Sequence, residues 1–287
     1  MNKDQLFRFI FENLGIRGEL VSLDTSFQAS LEKHNYPDII AEQLGQALAA
    51  SLLLSATLKF DGSLIMQLQG NGPMNMLVAQ ANQQQTVRGL AHWSGDISHG
   101  KLPSLIGDGL LTLTLKPTEG KAYQGIVSIE GESLAETLQA YFIQSEQLKT
   151  RLWFAVNSER AVGLLLQELP AHNGELADWQ RVEMLAGTIT NNELLGLSSE
   201  EVIRRLFHDE TVRLYEPQAV TFKCDCSREK VEKSLITLGH KDLLLLLEEK
   251  GAVEADCEFC NQHYQFDAID IELLFSSDKA TGSTVQH

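Results

Sequence analysis

No cysteine occurs in the first 223 residues of this 287-residue chain, and only four occur at all. That scarcity excludes a disulfide-stapled architecture for most of the chain, which is long enough to bury its own core. Long apolar runs are also missing: the longest, at 47–54 and 243–247, fall far short of the about 20 residues that span a bilayer. The amino-terminal stretch MNKDQLFRFIFENLGIRGEL interleaves charge with apolar residues and has no small-residue cleavage site, so it does not read as a secretory signal. Basic clusters are absent too. Lys and Arg number 23 against 39 Asp and Glu, a formal net charge of −16, with no stripe to release counterions from a phosphate backbone. The expectation is a cytoplasmic protein with neither a membrane nor nucleic acid as partner. A P-loop, a GxSxG elbow and an HExxH pair are likewise missing, as are internal repeats and low-complexity tracts. GNGP (70–73) and GDG (107–109) read as turns, and His92, His99 and His172 have no evident Ser or Cys partner. Enzymatic chemistry therefore finds little support.

Strand signals dominate the first half. IRGELVSL (16–23), SLIMQLQG (63–70), MNMLVAQA (74–81), TVRGLAHW (86–93), LLTLTLK (110–116) and YQGIVSIE (123–130) are separated by Gly, Asn, Asp or Pro. The spacing predicts a helix from Pro37 to about Lys59, with Pro37 at the first helical position. A second helix is predicted over 133–148, opened by Ser133 with Glu136 three residues later. Two further strands, TRLWFAV (150–156) and AVGLLLQEL (161–169), close the domain near Pro170. From 175 to 208 Trp179, Val182, Ala186 and Ile189, and later Val202 and Leu206, keep helical spacing. Gly187, Thr188-Ile189-Thr190 and Gly196 interrupt it, so the segment is expected to be weakly helical and dependent on packing partners. TVRLYE and AVTFKC are expected to form a short strand pair. The fold class is α+β: a large N-terminal domain of β-sheets and packed helices (1–174), a metastable, mainly helical linker (175–220) and a small C-terminal zinc-binding domain (221–287).

All four cysteines fall in that last part, as CDC (224–226) and CEFC (257–260). In a reducing compartment such clusters are metal ligands or redox-active thiols more often than permanent disulfides. Four thiolates suit the tetrahedral preference of zinc, which makes Cys224, Cys226, Cys257 and Cys260 the candidate ligands of one Zn2+ per chain. His263 is a competing donor, read as an ordinary strand side chain because four cysteines already complete the shell. CEFC reads as a turn entering the strand HYQF, unlike an oxidoreductase CxxC, which opens a helix. LLLLL (243–247) reads as a helix packed onto the zinc module. The tail is too small for a self-sufficient core, and a structural zinc contributes roughly 10–16 kcal/mol to folding of small modules. The spacing leaves two roles open, a clip that only holds the tail together and a redox switch.

FKCDCSREK (222–230), CEFCNQHYQFD (257–267), LKFDGSLIMQLQGNGPMN (58–75) and YFIQSEQLKTRL (141–152) resemble the redox-regulated heat shock protein 33 family, the 33 kDa chaperonins, over essentially the whole chain. The resemblance implies an ATP-independent holdase chaperone, largely inactive when reduced and zinc-bound. On oxidation it implies disulfides Cys224–Cys226 and Cys257–Cys260, zinc release, partial unfolding, binding of unfolding client proteins and a homodimer. With support lost, the 175–208 segment would expose Trp179, Ile189, Leu194, Leu195 and Leu197 as client-binding surface. A thiol-disulfide oxidoreductase using the CxxC pair, and a constitutive zinc-containing interaction module, are the alternatives.

Overall fold

The computed structural model describes residues 4–32, 34–58, 61–97, 99–169 and 176–281; the expected domain end at Pro170, His172 and the 174/175 boundary lie outside them. Strand β1 (Gln5–Phe11), which the sequence reading did not assign, pairs antiparallel with β2 (Ile16–Leu23). Phe9 stands opposite Gly18, where a Cβ would lie 2.1 Å from the ring. Only glycine lets the ring cross the strand there. Helix α1 (Thr25–Leu31) is capped from far upstream: the Asp4 carboxylate accepts the N–H groups of Thr25 and Ser26 at 3.0 and 2.6 Å. Helix α2 (Asp38–Ala56) follows, with Pro37 at its N-cap, one place before the position expected. By length and hydropathy α2 could cross a membrane, although its uninterrupted apolar runs are short; 72% of its most apolar window is buried in the core, and the helix packs against both sheets.

The second sheet begins with β3 (Gly62–Gln69), β4 (Met74–Asn82) and β5 (Thr86–Trp93), and is extended after α3 (Leu102–Ile106) by β6 (Leu110–Pro117) and β7 (Tyr123–Ser128). Along β3 Leu64, Met66 and Leu68 are buried, the period-two face that packs inward. GNGP and GDG are turns packed on each other: the Gly72 N–H donates to the Ile106 carbonyl at 2.7 Å and the Asp108 N–H to Asn71 Oδ1 at 2.9 Å. Helix α4 (Leu134–Tyr141) carries the predicted cap, Ser133 Oγ accepting from the Glu136 N–H at 3.2 Å, and runs into a π-helical turn, Phe142–Glu146. β8 (Thr150–Val156) and β9 (Ala161–Glu168) then join β1 and β2.

The 175–208 stretch differs from its reading as one interrupted helix. It forms three helices, α5 (Leu176–Ala186), α6 (Asn191–Gly196) and α7 (Ser199–Leu206). Gly187 follows the end of the first, and Thr190 and Ser198 each open a helix with a full capping box, to Glu193 and Glu201. The presumed interruptions are helix boundaries. The support the segment needs is the first sheet: Trp179, Val182, Leu194, Val202 and Phe207 pack with Phe7, Phe9, Phe11, Leu164 and Leu166 on the face opposite α2. Phe207 meets Phe11 edge-on at 4.8 Å between ring centroids.

The strands after α7 do not pair with each other as expected. β10 (Val212–Leu214) and β11 (Gln218–Ala219) line the free edge of β1, while β12 (Thr221–Phe222) runs parallel to β5. The first sheet is ordered β10-β1-β2-β9-β8, with β11 also on β1, and the second β12-β5-β4-β3-β6-β7. Unread β1 supplied the open edge that captures both pieces.

One compact unit ends at Lys223 and another begins at Cys224. The second contains α8 (Arg228–Leu238), α9 (His240–Lys250), the hairpin β13 (Val253–Asp256) and β14 (His263–Phe266), and α10 (Ala268–Thr281). Its buried apolar core among the described residues is Leu235, Leu243, Val253, Phe266 and Ile271. Five side chains are a thin core for a free-standing unit.

Candidate metal centre

Each half of the site is built by local structure. Cys224 and Cys226 lie on an extended arm just before α8, whose start is fixed by Ser227 Oγ accepting from the Lys230 N–H. The Lys230 ammonium reaches back to the carbonyl and carboxylate of Asp225, between the two cysteines, at 2.6 and 2.5 Å. Cys257 and Cys260 occupy the turn joining β13 to β14, where the Asn261 N–H donates to the Cys257 carbonyl at 2.7 Å. Asn261 takes φ +51°, a left-handed conformation that asparagine tolerates. The CxxC pair thus sits on a hairpin rather than at a helix N-terminus, as its sequence context predicted.

Folding brings the four sulfurs together, all within 4.8 Å of one another. Cys224 Sγ lies 3.6 Å from Cys257 Sγ, and Cys226 Sγ 3.5 Å from Cys260 Sγ. Four sulfurs bound at about 2.3 Å from one tetrahedral centre stand about 3.8 Å apart, so the donor set fits zinc. Burial first pushes the Cys257 thiol up and Cys260 up to about 12, while hydrogen bonds leave Cys224 below its ordinary value. A divalent cation supplies the compensation that closely packed thiolates require.

His263 directs Nδ1 to Asp256 Oδ1 at 2.8 Å across the hairpin and is outside the four-sulfur group. Two contacts escaped the sequence reading. The Tyr264 hydroxyl donates to Cys226 Sγ at 3.2 Å, and that bond is the first cause raising the phenol to about 12. Arg228 lies 4.2 Å over the Phe266 ring, donates to the Gln265 carbonyl at 3.0 Å and pairs with Asp270 at 2.8 Å. It ties the CDC arm to the CEFC hairpin. Both residues stand inside the two cysteine motifs, but nothing in one-dimensional spacing shows that β14 turns its alternate side chains toward the other arm.

The five residues assigned to client binding are also brought together, though elsewhere. Trp179 and Leu194 are buried in the cluster on the first sheet, and Ile189, Leu195 and Leu197 are half-buried against it. Polar contacts fasten the same helices: Arg151 of β8 pairs with Glu183, and Arg160 donates to the Leu195 carbonyl at 2.8 Å while pairing with Asp24 at 2.7 Å.

Residues 4–267 match the family model described as Hsp33 protein. The chain is 54% identical over 288 residues to the 33 kDa chaperonin of Nitrosococcus oceani, covering 100% of this chain and 99% of that relative. It is 46% identical over 289 residues to the 33 kDa chaperonin of Pseudomonas aeruginosa, covering 98% and 97%. In fold it is similar to the crystal structure of the 33 kDa chaperonin (heat shock protein 33 homolog) from Thermotoga maritima, with a TM-score of 0.85 at 23% identity over 96% of this chain and 99% of that one.

Proposed function

The chain belongs to the Hsp33 protein family, and from that premise we propose that it is a redox-regulated, ATP-independent holdase chaperone whose reduced form holds one Zn2+ through Cys224, Cys226, Cys257 and Cys260. The observation that carries this reading is the convergence of four sulfurs within 4.8 Å in a unit whose described residues include five buried apolar side chains. When bound, zinc joins the arm and the hairpin through one shell of thiolates. The chain's own side chains supply the rest: Tyr264 and Arg228 hold the two halves in register, and the cysteines carry the redox chemistry. Peroxide takes two electrons from Cys224 and Cys226 as their S–S bond forms, and is itself reduced to water. A second equivalent joins Cys257 to Cys260. The four-thiolate shell is then gone, and a unit with so thin a core loses its main support.

On this reading 175–220 is the segment that melts next and 221–287 the switch. Melting α5–α7 presents Trp179, Ile189, Leu194, Leu195 and Leu197, and bares the sheet face carrying Phe7, Phe9 and Phe11. Unfolding clients and a second copy of the chain bind apolar surface of this kind.

The test follows zinc release with a chromogenic chelator, in parallel with aggregation of a thermally unfolding client. Peroxide should release one zinc per chain as aggregation is suppressed. Catalytic turnover of a dithiol substrate would support the oxidoreductase alternative. Zinc retained under oxidation would leave a constitutive module.

A further inference from the structure

A cavity of about 350 Å3 lies in the first unit at the end of α2, reached by both sheets and by the π-helical turn. That is the size of a small-molecule pocket. Leu54, Leu58, Leu113, Leu115, Phe142 and Leu148 make its walls apolar, and Arg17 and Gln167 of the first sheet provide its polar end. The Arg17 guanidinium donates to Gln167 Oε1 and, at 3.5 Å, weakly to the Thr57 carbonyl; its Nε is buried without a partner. Among the described residues no carboxylate forms an ion pair with it.

The acid nearest along the strand is Glu19, on the same face of β2, and burial pushes its carboxyl up to about 8. Glu19 therefore keeps most of its proton near neutrality and gives the Arg17 charge only partial compensation. A half-buried guanidinium whose hydrogen bonds among the described residues go to neutral acceptors, beside apolar walls, is costly unless an anion completes it. The π-helical turn adds a second sign. Such turns are rare and concentrate at functional sites, and this one is followed by Gln147 at φ +54°. Glu146, exposed and held by the Tyr141 hydroxyl at 3.0 Å, disfavours a second negative group at its end of the cavity.

We propose that this cavity binds an organic monocarboxylate with an apolar tail, of the medium-chain fatty-acid type, its carboxylate paired with Arg17 and its tail along the leucines and Phe142. A guanidinium presents the paired N–H donors that a carboxylate accepts, and the leucine walls favour a hydrocarbon body over a sugar or a nucleotide.

The test uses the full-length, reduced, zinc-loaded chain and calorimetry with dodecanoate, dodecanol and acetate. Dodecanoate should bind one per chain and at least about tenfold more tightly than dodecanol, with acetate silent. Arg17→Gln should weaken dodecanoate by about tenfold or more and leave dodecanol unchanged, whereas Leu115→Trp, which fills the cavity, should abolish binding of both. No binding to the wild type, equal affinities for acid and alcohol, or dodecanoate binding unaffected by Leu115→Trp would each overturn the proposal. Arg17→Gln that lowers thermal stability but leaves dodecanoate affinity intact would reduce Arg17 to a charge placed under the end of α2. Should Arg17→Gln fail to fold, the comparison of acid with alcohol and the Leu115→Trp variant decide alone.

Discussion

At the residue scale the metal centre depends on more than its ligands. Arg228 combines a ring contact, a carbonyl hydrogen bond and ion pairs with Asp270 and Glu232, each weak on its own at an exposed position. Arg228→Ala should keep one zinc per chain but hand it to a chelator several-fold faster, as a competition time course will show. His263→Ala should retain the metal in full, because that imidazole is engaged with Asp256. Elemental analysis of the reduced variant showing no zinc would place His263 in the shell. In the first unit, Glu19 gives a pH dependence of defined sign. Its carboxyl titrates near 4.5 when unfolded and at about 8 when folded, so between those values the native state holds a proton that the unfolded chain has lost. Stability should fall as pH rises through that window, by on the order of a few kcal/mol. Glu19→Gln should flatten the slope, visible as a smaller drop in Tm from about pH 6 to about pH 8 than in the wild type.

Among the elements, α5 and α6 respond differently to proline. Glu183 lies inside α5 and pairs with Arg151, so Glu183→Pro removes an interior N–H bond and an ion pair at a cost of about 3 kcal/mol. Glu193 is the third residue of α6, so Glu193→Pro removes both halves of the capping box with Thr190 and the pair with Arg205 but no interior helix bond, at a cost of about 1–2 kcal/mol. If segment stability controls activity, Glu183→Pro should suppress client aggregation with thiols reduced and zinc bound, and Glu193→Pro should do so far less. A Glu183→Pro protein that keeps its zinc, is inactive before oxidation and normal after it would place control in the cysteines alone. Gly196 has open space around a would-be Cβ and no positive φ, so Gly196→Ala should gain about 0.5–1 kcal/mol and raise the oxidant threshold. At Gly187 the Glu183 carbonyl stands 3.3 Å from that Cβ, so the alanine there gains less.

For the whole molecule the prediction is an order of melting. Hydrogen exchange after peroxide treatment should show protection lost first in 224–281 and then in α5–α7, while α2 and strands β1–β9 keep theirs. The reason is the unequal size of the cores: five buried apolar side chains among the described residues of the second unit, against two sheets closed around a buried α2 in the first. Uniform loss across the chain would reject that order.

Local pattern by itself determined much of this protein. Short strand-like runs delimited β2, β5 and β8, Ser133 with Glu136 marked the start of α4, and the spacing of CDC and CEFC identified four donors of one chemistry. These are short-range properties, written into a few consecutive residues. Tertiary structure alone decided the rest. It made three capped helices of the 175–208 segment by giving them a phenylalanine-lined sheet face, and it sent β10 and β11 to one sheet and β12 to the other. It also placed Tyr264 against Cys226, and Arg17 at the polar end of a cavity where, among the described residues, no carboxylate forms an ion pair with it. Each of those outcomes depends on which distant strand offers an open edge or face, a property of the closed core that adjacent residues do not encode.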